Sequence, residues 1–512
     1  MGKNALPFIR VLVPSILLIL STFAATAQAQ SFTVSGRVTE PPSSTGVGIP
    51  GVTLVMTVTL DNNPQPTQTI QTDPSGNFSF LPIAAGSNYD VTASKPGFIF
   101  TPTSQGGSNI QADRTIFFTR VLTTIQFSTA NKSASEGNPD ITKNDLTINV
   151  IRSGDTSGTS TVDYTTSDTA GASPCSTTGV GASSRCDYLT TLGTLTFAAG
   201  ETLKTISIPI IDDVYAEGDE NFTITLSNPS GAALGTPATA TLTIVDNDMA
   251  NGTSNPIDVA QFFVRQHYVD FLNREPDASG LSFWTNEITQ CGADAACTDL
   301  KRINVSGAFF LSIEFQETGY LVYRMYKSGF GNLAGAPVPV RLNEFLRDTQ
   351  QIGQGVQVGV GNWQAQLEAN KQAFALRFVQ RPEFLTAFPG SLTADQVVTQ
   401  LDTNAGGVLS AAEKANLVAV LGSTPADVAN RASVLRSVAE DANLKSAEFN
   451  KAFVLMQYFG YLRRNPNDAP DSDFSGYNFW LGKLNQFNGN FVNAEMVKAF
   501  ITSIEYRQRF AP

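Results

Sequence analysis

The stretch Ile206-Ser207-Ile208-Pro209-Ile210-Ile211-Asp212-Asp213-Val214-Tyr215-Ala216-Glu217-Gly218-Asp219-Glu220-Asn221-Phe222-Thr223-Ile224-Thr225-Leu226 alternates apolar and polar residues on either side of an acidic centre. Successive side chains of a strand point to opposite faces. Ile206, Ile208 and Ile210 therefore share one face of one strand, and Phe222, Ile224 and Leu226 one face of the next. The same period of two recurs at Leu146, Ile148 and Val150 and at Leu242 and Ile244. Between about residues 122 and 248 this pattern predicts a β-sandwich. Acidic residues gather where its strands end, at Asp212, Asp213, Glu217, Asp219 and Glu220 and again at Asp246 and Asp248. A sandwich can bring both clusters to one tip.

Carboxylates held together without a cation repel one another and raise each other's pKa, and a hard cation resolves the conflict. Calcium suits such loops better than magnesium, because it accepts 6 to 8 oxygens in loose geometry. The competing reading is a solvated acidic loop beyond a strand end. Six linked motifs bear on the choice: Ser135-Glu136-Gly137, Tyr164-Thr165-Thr166-Ser167-Asp168-Thr169-Ala170, Gly193-Thr194-Leu195-Thr196-Phe197, Gly200-Glu201-Thr202, Ile210-Ile211-Asp212-Asp213 and Glu217-Gly218-Asp219-Glu220-Asn221-Phe222. Together they resemble the Calx-beta family over the whole domain. The resemblance implies calcium as the bound cofactor, with ligands at Glu136, Asp168, Asp212, Asp213, Glu217, Glu220, Asp246 and Asp248. Val214 and Asn247 stand where strongly binding members carry aspartates, which implies fewer or weaker ions. Segment 172–187, holding Cys175 and Cys186, is an enlarged loop near the proposed site.

Upstream, from Ser31 to about Arg120, short alternating runs are punctuated by Pro74-Ser75-Gly76-Asn77, Ala85-Gly86-Ser87-Asn88 and Lys95-Pro96-Gly97, which predicts strands joined by tight turns. Val34-Ser35-Gly36-Arg37-Val38, Gly51-Val52-Thr53-Leu54, Thr72-Asp73-Pro74-Ser75-Gly76-Asn77-Phe78 and Tyr89-Asp90-Val91 resemble the carboxypeptidase-regulatory-like family of small β-sandwiches, which implies a stalk, spacer or accessory module. Asp73 most simply opens a turn.

Downstream of a linker of small and polar residues at 249–256, the period becomes helical. The stripe Val264, Tyr268, Phe271 and Leu272 recurs as Val454, Tyr458, Tyr461 and Leu462, an offset of 190 (454 minus 264). Arg274-Glu275-Pro276-Asp277 with Phe283-Trp284 corresponds to Arg464-Asn465-Pro466-Asn467 with Phe479-Trp480, and 308–315 echoes 499–506. A weaker middle copy falls at Phe374 to Phe384. Residues 257–512 thus read as a helical array whose repeats share a core. The repeated motif resembles domain-of-unknown-function family 4214, whose members often end secreted or surface proteins and which implies no established chemistry. Trp284 and Trp480 suit either sugar stacking or, as the better reading, a helical core. Asp402-Thr403-Asn404 with Gly407, Ser410 and Glu413 follows the EF-hand order of donors, giving lower-ranked calcium ligands at Asp402, Asn404 and Glu413, although Gly406 stands where a donor belongs. The alternative is a helix stop at Gly406-Gly407 followed by a capping box between Ser410 and Glu413.

Lys3 and Arg10 precede an apolar run from Val11 to Ala25 and then Ala27-Gln28-Ala29, the pattern of a signal peptide cut after Ala29. No later stretch is long and apolar enough to cross a bilayer. A net charge of −12 without a basic cluster argues against nucleic acid. Cys175 with Cys186 and Cys291 with Cys297 predict two local disulfides of ~3 kcal/mol or less each. His267 is the one histidine, which leaves little material for a nucleophilic triad or a zinc site.

The predicted chain is multidomain: signal peptide 1–29, a sandwich at 30–120, a second at 121–248, the linker 249–256 and helices at 257–512. Its fold class is two all-β, immunoglobulin-like sandwiches followed by an all-α helical repeat domain. The expected function is a non-enzymatic, calcium-binding adhesion, matrix or scaffold protein of the bacterial cell surface or extracellular space. Its expected partner is an extracellular protein or a glycan. In that expectation the two sandwiches form a spacer that lifts the helical domain away from a surface or a partner. The rival is a carbohydrate-binding or carbohydrate-active protein working through the helical domain, with Asp277, Glu287 or Glu314 as candidate acids.

Overall fold

The computed structural model describes residues 30–96, 98–137, 145–167, 175, 181–248, 252 and 254–512. The signal-peptide reading of 1–29, Asp168 and part of the linker lie outside them. The chain divides into two compact units, Met1–Val121 and Leu122–Pro512.

In the first unit one sheet runs Asn77–Ser79, Val34–Thr39, Arg114–Arg120, Phe100–Thr101, and the other Asn63–Gln71, Thr53–Leu60, Asn88–Ser94, Ser104–Gly107. Alternate residues of both sheets, Val34, Val38 and Phe118 from one and Leu54, Met56 and Val91 from the other, meet in a core from which water is excluded. Asp73 opens a turn, its Oδ1 accepting from the backbone N–H groups of Ser75 and Asn77 at 2.8 Å each.

The second unit begins with a sandwich of four and five strands. Leu203–Pro209, Asp145–Ser153, Thr124–Phe127 and Ala233–Leu234 form one sheet; Asn131–Ser135, Thr239–Val245, Glu220–Ser230, Ser160–Thr166 and Leu192–Phe197 form the other. The alternating residues Leu146, Ile148, Ile206, Ile208, Phe222, Ile224, Leu242 and Ile244 fill the space between them. Register decides where the acids go. Asp145 pairs with Pro209, Ser135 with Val245 and Glu220 with Ile244, so the segments after Ser135, Pro209 and Val245 and before Glu220 all leave the sandwich at one end.

The helical region builds one module twice. Helix Ala260–Leu272 ends at Asn273 with φ 55°, and helix Ala442–Gln457, continued by the π-turn Tyr458–Leu462, ends at Arg463 with φ 53°. Both left-handed caps donate their N–H to the tyrosine carbonyl, Tyr268 or Tyr458. Arg274 then grips Glu314 at 2.7 Å through two nitrogens, and Arg464 grips Glu505 at 2.7 and 3.1 Å. Ser312 and Ser503 cap the following short helices by accepting from Phe315 and Tyr506. The copies share a core, with the Phe271 and Tyr461 rings 5.1 Å apart. The middle segment differs: Arg381 binds Asp348 at 2.7 and 2.8 Å instead.

The helical domain packs directly against the second sandwich. Ile211, 1% exposed, packs into the helical core, and Gln350 accepts from the Leu192 N–H at 3.0 Å while donating to Thr190 O. Arg265 donates to Ile210 O at 2.8 Å. Burial of the strand-end isoleucine draws the two parts together.

Candidate metal centre

At the tip of the second sandwich, carboxylate oxygens of Glu136, Asp246 and Asp248 lie within 4.8 Å of one another, as do those of Asp187, Glu217 and Glu220. Local backbone fixes them. Asp246 Oδ2 accepts from the Gly218 N–H at 2.6 Å and its Oδ1 from the Asp248 N–H at 2.7 Å. Asp213 Oδ1 accepts from the Tyr215 N–H at 2.8 Å. The Asp212 and Asn247 side chains meet over Gly137. Gly137 makes that approach possible, since a Cβ there would stand 2.1 Å from Asn247 Nδ2 and 2.6 Å from Asp212 Oδ1.

Burial is the first cause of the electrostatic strain and neighbouring carboxylates the second. Desolvation, with the charges of Asp212, Asp246 and Glu217 behind it, pushes Glu136 up to about 8 even though the Asp213 N–H pulls the other way. Desolvation followed by Glu220 and Asp246 pushes Glu217 to about 8. Asp212, Glu220 and Asp248 are raised for the same leading reason, and Asp187 and Asp213 are raised well above the carboxylate range. Oδ1 of Asp187 and Oδ2 of Asp213 and Asp248 are buried without a hydrogen-bond partner. Hard oxygen donors, several of them desolvated and lacking a donor hydrogen, fit a hard divalent cation of calcium type.

The predicted ligands Glu136, Asp212, Asp213, Glu217, Glu220, Asp246 and Asp248 all stand at this tip. Sequence reasoning missed Asp187, 5% exposed, which follows Cys186 in the enlarged loop. Its signal was adjacency to a cysteine that a disulfide to Cys175 ties down. Val214, where strongly binding members carry an aspartate, joins the tip to the chain around it through its backbone: its N–H donates to Phe510 O at 3.1 Å and its carbonyl accepts from the Gly252 N–H at 2.8 Å.

The EF-hand-like reading of Asp402, Asn404 and Glu413 needs correction. Asp402 lies within helix Ala394–Ala405, accepting from the Leu409 N–H at 2.9 Å and pairing with Lys414 at 2.5 Å. Asn404 donates to the carbonyls of Ser328 and Gly329. Glu413 accepts from the Ser410 N–H at 2.7 Å in a capping box, after left-handed Gly406 and Gly407. These oxygens and amides are committed to ending one helix and starting the next, so no ring of donors forms.

The tryptophans also depart from a plain core reading. Trp284 and Trp480 are half-buried, packing on Phe309 and Phe500 at 5.9 and 5.8 Å, while the preceding Phe283 and Phe479 are 56% and 57% exposed. His267 is fully buried, its ring nitrogens meeting Phe263 O at 2.7 Å and Ser306 Oγ at 2.8 Å, and desolvation pushes its pKa down to about 4. Both predicted disulfides are present and no cysteine is free.

Residues 122–248 match the family model of the Calx-beta domain, and residues 36–113 that of the BOS complex subunit NOMO1-like, beta sandwich domain. Sodium/calcium exchanger 1 of Mus musculus is 40% identical over 123 residues, a match covering 20% of this chain and 11% of the exchanger. Sodium/calcium exchanger Calx of Drosophila melanogaster is 36% identical over 104 residues, covering 20% and 10%. The solved apo-form Calx CBD1 domain is 30% identical, covers 25% of this chain and 99% of that one, and superimposes with a TM-score of 0.21. The chain therefore spans only about 11% of the length of the first curated relatives it matches. By the family model and its exchanger relatives, the segment 122–248 of this chain is a Calx-beta domain.

Proposed function

We propose that this chain is an exported, non-enzymatic protein that binds calcium at the Calx-beta tip and acts as an adhesion, matrix or scaffold component outside the bacterial cell. One observation carries the reading: carboxylates from four chain segments converge there with buried oxygens that have no hydrogen-bond donor. Glu136, Asp212, Asp213, Asp246 and Asp248 would hold calcium, joined by Asp168 from outside the described residues. The ion supplies the positive charge that a proton otherwise provides. The residues themselves orient the oxygens and exclude water. The helical region sits directly against this tip, so ion binding rigidifies the joint between sandwich and helices.

Two disulfides and the apolar run ending at Ala27-Gln28-Ala29 support export. Among the described residues no helix is long and apolar enough to cross a membrane. The first sandwich, read as a carboxypeptidase-regulatory-like spacer, and residues 257–512, read as a family-4214 repeat region, supply reach and the partner-facing surface. Calcium titration of the whole chain by calorimetry tests this, beside Asp212→Ala/Asp213→Ala/Asp246→Ala. Saturable binding with a raised melting temperature, lost in the triple variant, supports it. No binding at millimolar calcium sinks it.

A second reading is favoured by a cavity of about 560 Å³ flanked by Phe283, Trp284, Asp277 and Glu314. Its aromatic faces suit a glycan. Its acids are less suited to hydrolysis, because Glu314 is clamped by Arg274 and Asp277 caps a helix at the Gly280 N–H. Binding of an oligosaccharide that Trp284→Ala abolishes would favour this reading.

A further inference from the structure

We propose that Asp187, held beside the Cys175–Cys186 disulfide, is a ligand of a second divalent-cation site at the tip, completed by Glu217 and Glu220. The proposal rests on the calcium reading of the tip and adds a residue and a covalent constraint to it. One oxygen from each of the three carboxylates lies within 4.8 Å of the others. Asp187 is 5% exposed and Glu220 7%. Asp187 Oδ2 accepts from the Ser183 N–H at 2.5 Å, while its Oδ1 is buried with no hydrogen-bond partner. A desolvated oxygen without a donor, beside two more carboxylates, is stabilised only by a proton or a cation. Calcium tolerates such a set, because waters complete its 6 to 8 oxygens.

Asp187 is held from several sides. Its own N–H donates to Ser183 O at 2.9 Å and its carbonyl accepts from the Ile211 N–H at 2.9 Å. The next residue, Tyr188, stacks on Phe222 with centroids 3.8 Å apart. The preceding Cys186 is fully buried in its disulfide. From the helical side, Arg509 donates to Arg185 O at 2.8 Å and Arg185 pairs with Glu505 at 2.9 Å. The ligand is thus positioned by a disulfide on one flank and by the last turn of the helical region on the other. Hydrogen-bonded groups that orient a ligand are worth ~10- to 100-fold in metal affinity, and the disulfide constrains the same residue from its other side.

The test uses the oxidised full chain, Asp187→Asn and Cys175→Ser/Cys186→Ser, with calcium alone as the probe. Calorimetry counts the ions, and melting is followed in chelator and in calcium. Asp187→Asn is expected to melt higher than wild type in chelator, to bind one ion fewer and to gain less from calcium. The cysteine variant should keep the ion count with binding weakened ~10-fold. A wild-type ion count in Asp187→Asn overturns the proposal while leaving the calcium reading intact. So does a lower melting temperature in chelator with an unchanged calcium gain, the signature of a merely structural residue. If the wild-type chain binds no calcium, both readings fail together.

Discussion

Buried carboxylates in the helical region have cations of their own, whereas at the sandwich tip Asp187 and Asp213 pair with none among the described residues. Arg509 grips Asp270 at 2.9 and 3.0 Å, with side chains 0% and 2% exposed, and Arg381 grips a fully buried Asp348. Arg265 holds Glu275, and Lys414 holds Asp402. At the tip, among the described residues, Asp187, Asp213 and Asp248 form no ion pair, and each carries a buried oxygen without a partner. The physics is the same in both places: a desolvated carboxylate requires positive charge or a proton. Where the chain supplies the charge, the residue fixes structure. Where it does not, the charge is left for a ligand to bring.

The largest effect should come from removing the tip's charge. In Asp212→Ala/Asp213→Ala/Asp246→Ala, calorimetry should find no calcium binding and thermal melting no calcium response. Full retention of either would place the ions elsewhere and erase the contrast.

Next in size is the internal pair. Arg509→Ala leaves Asp270 buried and unpaired, for an expected loss of ~3–5 kcal/mol in denaturant unfolding with calcium present. The opposite sign is expected at the tip, where Asp213→Asn should stabilise the calcium-free protein while weakening calcium binding.

A smaller effect is the pH dependence. Glu136 and Glu217 are raised from 4.5 to about 8, chiefly by burial. A raised carboxyl binds its proton more tightly folded than unfolded, so its stabilisation is present below the unfolded pKa and is lost as pH rises through the folded one. In chelator the melting temperature should therefore fall between about pH 4.5 and 8. Saturating calcium should flatten that slope, with protons released on binding at pH 7. A flat profile in chelator would mean the tip is better solvated than its geometry indicates.

The smallest is the control at the other acidic segment. Ser410→Ala removes a helix cap and should cost ~1 kcal/mol in denaturant unfolding, with the calcium isotherm unchanged.

The sandwich, its acidic end and the helical repeat were legible because each is written in local periodicity. Ile206, Ile208 and Ile210 declare a face, and Val264 to Leu272 reappear as Val454 to Leu462. Asp187 was not legible, because its place depends on a disulfide and on contacts with residues more than 300 positions away, such as Arg185 with Glu505. The backbone bonds of Val214 to Phe510 and Gly252 were hidden too, because tertiary packing sets them. The Asp402 segment has an EF-hand order of donors, but spacing does not reveal that Lys414 and the Leu409 N–H already satisfy Asp402. The half-exposure of Trp284 and Trp480 was hidden for the same reason, since helical periodicity does not fix how far a neighbouring helix covers a ring.

Crystals grown with calcium and measured for its anomalous scattering give the most direct test. The account predicts ions bound ~2.3–2.6 Å from carboxylate oxygens of Glu136, Asp246 and Asp248, and none between Asp402 and Glu413. A tip without an ion at millimolar calcium, or an ion held by Asp402 and Glu413, would contradict it.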